Sequence, residues 1–253
     1  MAQRSDNPLL ERMSQVLAKE PKGKMLDLGC GGGNFAKQAK DLGFEVVACD
    51  IEEEGFGYHK EIEFIKADIT KKLPFPDENF DDVLFLEVIE HLYNPYFVVY
   101  EINRVLKKNG CLFISTPNVL NLKSRLRFLF EGTFDFYREP PLDQLNNPKE
   151  KDTNIHLFVF RYSRLEYMLA MNGFEIRDVF TSCYEPAAKP LSFLIPIIKM
   201  QAYFKCRRSL KKGGTDFRRL YKIILSKDLL FGRHLVIKAI KKNNPSQKIY
   251  RYG

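Results

Sequence analysis

Short apolar runs alternate with stretches of helical spacing through most of this 253-residue chain, and several of the runs end on an acidic residue. The runs at 24–28, 44–49, 62–67, 82–86 and 111–116 are too short for helices and read as buried strands. Between them, 7–19, 34–42 and 95–106 carry apolar residues at helical intervals, with Gly23, Gly43 and Asn109-Gly110 as stops. A further helix is expected at 164–172, and two late strands at 174–182 and 234–240. Short continuous apolar strands between helices imply an α/β fold: a seven-stranded, mostly parallel sheet with helices on both faces. In such sheets a ligand lies at the carboxyl ends of the strands, near the switch in strand order. Two segments, 118–155 and 184–232, break the alternation and read as insertions beside that edge.

The first strand runs into a glycine-rich loop, Met25-Leu-Asp27-Leu-Gly29-Cys30-Gly31-Gly-Gly33. Glycines there let the backbone turn tightly and approach a ligand. A dinucleotide fingerprint would want its third glycine at position 34, where Asn stands. The spacing instead resembles motif I of the class I S-adenosylmethionine-dependent methyltransferases, D-x-G-x-G-x-G, including the methyltransferase type 11/12 and ubiquinone-biosynthesis O-methyltransferase-like groups. That resemblance implies a Rossmann-like fold forming one domain over residues 1–253, with a lid-like insertion at 118–155 and a basic insertion at 184–232. It also implies S-adenosylmethionine as cofactor. Asp27 would orient the methionine amino group, and Gly29, Cys30, Gly31 and Gly33 would line the methionine moiety. Asp50, followed by Ile51, would bind the ribose hydroxyls. Asp68 would accept from the adenine amino group, with Ile69 against the ring, and Glu87 would line the pocket.

The fourth strand ends in Glu87-Val-Ile-Glu90-His91. If a helical turn starts there, positions i, i+3 and i+4 share one face. Two carboxylates and an imidazole would converge, and a divalent cation would relieve their repulsion. The pattern resembles the magnesium motif of ubiquinone-biosynthesis O-methyltransferases and small-RNA 2′-O-methyltransferases. In the RNA group a later histidine completes the site, and His156 occupies a similar place. The metal set implied is Glu87, Glu90, His91 and His156, holding Mg2+. The alternative is His91 or His156 acting as a general base without metal. His59 and His234 stand near Lys or Arg and are expected at the surface without a role.

The charge is split. Residues 199–253 hold 16 Lys or Arg against two acids, whereas 1–198 hold 24 basic and 30 acidic residues. An acidic body with a basic end calls for a partner of its own. The stretch at 190–198 is apolar and is followed by a run of cations to 212, which suits contact with an anionic membrane surface. Basic residues interleaved with Phe204, Phe217 and Tyr221 also fit RNA, and a dimer contact is a third reading. The helical pattern at 118–130 is amphipathic, and 131–155 is polar and proline-rich like a lid. Five scattered cysteines without a CxxC exclude a disulfide scaffold and a cysteine zinc site. The first residues carry no apolar signal core and no run is long enough to span a bilayer, so the expected location is the cytoplasm, with peripheral contact at the inner membrane face. The expected activity is methyl transfer to an oxygen of a small-molecule, glycan or lipid-linked acceptor. An RNA 2′-O-methyltransferase and a non-catalytic cofactor-binding scaffold stand as alternatives.

Overall fold

The computed structural model describes residues 7–137 and 156–245. The first half alternates as the sequence predicts: α1 (Pro8–Leu17), β1 (Lys24–Leu28), α2 (Asn34–Asp41), β2 (Glu45–Asp50), β3 (Glu63–Lys66), β4 (Phe80–Leu86), α3 (Pro95–Val105) and β5 (Leu106–Pro117). There follow α4 (Leu122–Glu131), α5 (Tyr162–Met171), β6 (Phe174–Phe180), α6 (Ile195–Lys211), α7 (Arg218–Ile224), α8 (Lys227–Phe231) and β7 (His234–Lys241). The Asn7 side chain caps α1 by accepting the Leu9 and Leu10 amides, with Pro8 at the first turn. One boundary differs from expectation. The helix predicted to Leu106 stops at Val105, because Leu106 already pairs with Phe80. The next pair is Asp82 with Cys111, so Lys107–Gly110 bulges out of the ladder, with Asn109 at a left-handed φ of 63°.

The strand order is β3-β2-β1-β4-β5-β7-β6. Strands β1 to β5 are parallel, while β7 runs antiparallel to both β5 and β6. The chain leaves β1 in one direction for β2 and β3, then returns to its other side for β4 and β5. The crevice between the carboxyl ends of β1 and β4 is therefore the switch point. Alternate strand residues feed opposite cores. Leu26, Leu28, Val83, Phe85, Leu112 and Ile114 pack with Val98, Ile102, Leu165 and Met168 of α3 and α5. Met25, Ala48, Leu84 and Phe113 pack with Leu9, Met13 and Leu17 of α1 and Ala36 and Ala39 of α2. That double-sided burial is why the strands read as continuous apolar runs.

Among the described residues neither insertion adds a strand to the sheet. The first holds α4, and the lid-like reading of its later part falls on 138–155, outside the described residues. The second holds a 3-10 segment (Pro186–Leu194), α6, α7 and α8, and is closed at its base by a bridge between Tyr184 and Gly232. Leu122, Ala188 and Leu230 form a small core there, joined by Leu191, Ile195 and Ile198. Buried Asn118 fastens this unit to the end of β5. Its amide donates to Leu229 O (3.0 Å) and Gly232 O (2.8 Å), and its Oδ1 accepts from Leu120 N (3.0 Å). Asn118→Ala leaves three buried backbone groups unpaired and is expected to cost about 2–4 kcal/mol. Urea unfolding measures this, and an unchanged midpoint would contradict the assignment.

Candidate active site

The glycine loop joins β1 to α2 with Gly29, Gly31 and Gly33 at φ values of 76°, 49° and 83°. At two of these a side chain also has no room. A Cβ on Gly29 would lie 2.7 Å from Val88, and one on Gly33 would lie 2.5 Å from Phe56. The loop is pinned to the neighbouring strand: the Gly29 and Cys30 amides both donate to Cys49 O, and the Gly31 amide donates to Asp50 Oδ2 at 2.8 Å. The Cys30 thiol is buried in the core on the α1 side, so that residue reaches the cradle through its backbone alone.

Asp27 lies on the α2 face of β1 and is 2% exposed. It accepts the Ala36 amide, yet its Oδ2 is buried without a hydrogen-bond partner. Burial, and then the Asp50 charge, push its pKa up to about 7. An unpartnered buried carboxylate oxygen beside the glycine loop fits a cationic amino group. Asp50 Oδ1 accepts the Glu52 amide at 3.1 Å, which holds the carboxylate at the end of β2 with lone pairs to spare on both oxygens. Ile51 beside it is exposed. Asp68 is more occupied than the sequence suggests. Its Oδ1 accepts the Thr70 hydroxyl (2.6 Å) and amide (3.0 Å), and Oδ2 pairs with Lys71, which together hold its pKa low. Ile69 is turned into the core beside Leu73 and Phe80.

After β4 the expected helical face does not form. Glu87 has a left-handed φ of 55°, and only then does a 3-10 turn begin at Ile89–His91. The reversal sends Glu87 toward β5 and β7. Its Oε1 accepts the Ser115 hydroxyl at 2.6 Å, and its Oε2 lies 3.6 Å from His234 Nε2. His234 Nδ1 in turn meets the Ser182 hydroxyl. His234 is thus a half-buried neighbour of Glu87 and not the surface residue expected. It starts β7, and because β7 is reversed its first residue lies at the carboxyl edge. Burial holds the His234 pKa down at about 4 and raises that of Glu87 to about 7.

Glu90, His91 and His156 do come together. One ligand atom from each lies within 4.8 Å of the other two, and the imidazole rings meet edge to face at 4.8 Å. Glu87 stands outside this group, so the expected four-residue set is reduced to three by the Glu87 reversal. The partnership across 65 residues of sequence is made by backbone: the Leu157 and Phe158 amides both donate to Glu90 O, at 2.8 and 3.1 Å. His156 Nδ1 meets Phe136 O, which can only accept. Nδ1 therefore carries the proton and Nε2 keeps its lone pair. Burial lowers the His156 pKa, so the ring is neutral near pH 7. Glu90 is fully buried and neither carboxylate oxygen has a hydrogen-bond partner. Burial and the nearby Glu87 charge push its pKa well up. Tyr137 closes the group, with its hydroxyl 3.4 Å from that of Thr116 and its ring against His156. Ser115, Thr116, Tyr137 and Ser182 carried no sequence signal. Their roles arise from strand ends meeting at one edge.

Comparison with known proteins agrees with this layout. A family model described as a methyltransferase domain matches residues 26–114. The ubiquinone biosynthesis O-methyltransferase of Pelagibacter ubique is 34% identical over 130 residues, which cover 45% of this chain and 53% of that one. The enzyme of the same name from Aliivibrio fischeri is 28% identical over 188 residues, covering 71% of this chain and 74% of that one. The match thus spans about half of the first relative (53%) and about three quarters of the second (74%). Among solved structures, a SAM-dependent methyltransferase from Archaeoglobus fulgidus superposes with a TM-score of 0.54 at 20% identity, over 92% of this chain and 94% of that one, a likeness of fold.

The buried Asp27 carboxyl gives a pH-dependent signature. Its folded pKa of about 7 lies above its ordinary 3.8, so the folded state holds the proton more tightly than the unfolded chain. The stability this adds is complete below pH 3.8 and is lost as pH rises through 7. Asp27→Asn keeps the Ala36 contact without the charge. It is expected to stabilise the free protein by about 2–4 kcal/mol near pH 8.5 and by almost nothing near pH 4. Equal effects at both pH values in urea unfolding would contradict the assignment.

Proposed function

The chain belongs to the class I S-adenosylmethionine-dependent methyltransferases, and on that premise we propose that it methylates a hydroxyl oxygen of a small-molecule, glycan or lipid-linked acceptor. The observation that carries the choice of oxygen is the Glu90, His91 and His156 group, gathered beside the glycine loop with His156 Nε2 unprotonated. The O-methyltransferase relatives point the same way. Asp27 and Asp50 would hold the amino and ribose ends of the cofactor, with Asp68 toward its base, while Ile69 belongs to the core. When bound, S-adenosylmethionine supplies a methyl group on a positively charged sulfur.

Displacement at that methyl group asks mainly for alignment and exclusion of water. An alcohol is a weak nucleophile until its proton leaves, so an oxygen acceptor needs a base within reach. His156 is in the state a base requires, neutral, with Nδ1 fixed by Phe136 O and Nε2 open. His91 is set edge-on to His156 and orients it, or takes part in the proton transfer. A second reading rests on the orphaned Glu90 oxygens. A carboxylate and two imidazoles at this spacing fit a divalent cation such as Mg2+, which would lower the pKa of a bound hydroxyl. Glu90, His91 and His156 would then be ligands.

Calorimetric titration with S-adenosylmethionine should show binding that Asp50→Ala weakens by about 10–100-fold, through loss of charge-assisted hydrogen bonds. Unchanged affinity would contradict the cofactor assignment. A screen of labelled methyl transfer over lipid and glycan fractions then identifies the acceptor. Activity that survives EDTA and Glu90→Gln but is lost in His156→Ala would establish the direct base. Activity abolished by EDTA and restored by Mg2+ would establish the cation.

A further inference from the structure

Helix α6 presents the wrong kind of residue to solvent. Ala202 and Cys206 are its buried positions. At 100° per residue, the side opposite them carries Ile197, Met200 and Phe204 over its first half. All three are more than half exposed, as is Phe193 in the 3-10 segment just before the helix. On the same side, the second half of the helix carries Arg207, Arg208 and Lys211. A helix packed on a core normally turns its polar side outward, so among the described residues this outward apolar stripe is left unused. The small core of the insertion takes Leu191, Ile195 and Ile198 and leaves the stripe uncovered.

We propose that this face of α6 is a docking surface for an anionic lipid bilayer. Charge decides among occupants. From Pro186 to Thr215 there are seven Lys or Arg and no acid. A groove of about 590 Å3 between α6 and α7 adds Arg218 and Lys222 to these, around Tyr203 and Tyr221. A second copy of the chain would set this cationic face against itself. A nucleic acid would use the cations, but it has no use for Ile197 and Met200, which offer neither a flat ring nor a hydrogen bond to a base. A bilayer with anionic headgroups satisfies both halves: the aliphatic and aromatic side chains enter the boundary region, and the cations stay with the phosphates. No helix among the described residues is long and apolar enough to cross a membrane, so the contact is peripheral. The surface is also placed to serve the catalytic edge. The 3-10 segment leading into α6 packs against α4, which follows directly from the carboxyl end of β5. On the reading given above, and resting on it, an acceptor embedded in the bilayer would be delivered to that edge.

The test is sedimentation of the full chain with vesicles of phosphatidylcholine alone and of phosphatidylcholine mixed with phosphatidylglycerol. Binding is expected to the mixed vesicles and to fall with added salt. The exposed double change Met200→Asp with Phe204→Asp should lower partitioning about tenfold or more, without changing thermal unfolding or S-adenosylmethionine affinity. Arg207→Ser with Arg208→Ser should remove most of the salt-sensitive part. No binding to mixed vesicles would overturn the proposal, and so would variants that bind as well as the parent chain. Self-association abolished by Phe204→Asp, or RNA binding in place of vesicle binding, would overturn it in favour of those partners. Loss of methyl transfer with vesicle binding intact would count against the catalytic reading alone.

Discussion

The distance between Gly29 and Val88 governs the geometry of everything at the catalytic edge. A Cβ on Gly29 would come within 2.7 Å of the Val88 side chain, so the glycine loop and the turn after β4 are in contact with no slack. Val88 lies between Glu87 and the turn that carries Glu90 and His91. On the proposed function, the loop that would cradle the cofactor is therefore set directly against the turn whose groups would receive the acceptor. Two-substrate chemistry of this kind gains most of its rate from fixed relative position, and a hard contact between loop and turn is a firm way to fix it. The same loop is tied on its other side to β2 by the Cys49 carbonyl and the Asp50 carboxylate.

The acids at this edge differ in environment, and that difference assigns their work. Asp50 and Asp68 accept hydrogen bonds from backbone amides and stand partly open. Asp27 and Glu90 are buried and Glu87 is half-buried, and burial pushes each toward its neutral form. A buried carboxyl of raised pKa is costly to keep ionised until a cation arrives. On the proposed function, Asp27 beside the glycine loop would meet an organic cation, and in its second reading Glu90 beside two imidazoles would meet a metal ion. Glu87 is different again, because Ser115 and His234 bind it internally.

Much of this was legible in the chain. The strands, their order of acids and the glycine turn follow from local pattern, because burial on both faces of a parallel sheet writes itself as continuous apolar runs. The pairing of His91 with His156 was readable only through resemblance, since the contact is made by backbone hydrogen bonds from Leu157 and Phe158 to Glu90. The common face of Glu87 and Glu90 failed because a left-handed residue precedes the turn, and a non-glycine in that conformation leaves no mark in spacing. His234 departs from expectation for a topological reason. Its neighbour Arg233 suggests surface, but β7 enters the sheet reversed between β5 and β6, so its start lies where the parallel strands end. The charge split belongs to the insertion and the chain end beyond the site, as α6 and α7 show.

On the proposed function, Asp27 is the buried carboxyl that would meet the ammonium group of S-adenosylmethionine. A cation bound there would lower its pKa from about 7, and the protein would then shed a proton. Calorimetry of S-adenosylmethionine binding near pH 6, repeated in buffers of different ionisation enthalpy, counts that proton directly. The parent chain is predicted to release close to one proton per cofactor bound near pH 6, where the free amino group is already protonated, and Asp27→Asn to release none there. Binding with no proton release near pH 6, or equal release from Asp27→Asn, would contradict this role for Asp27.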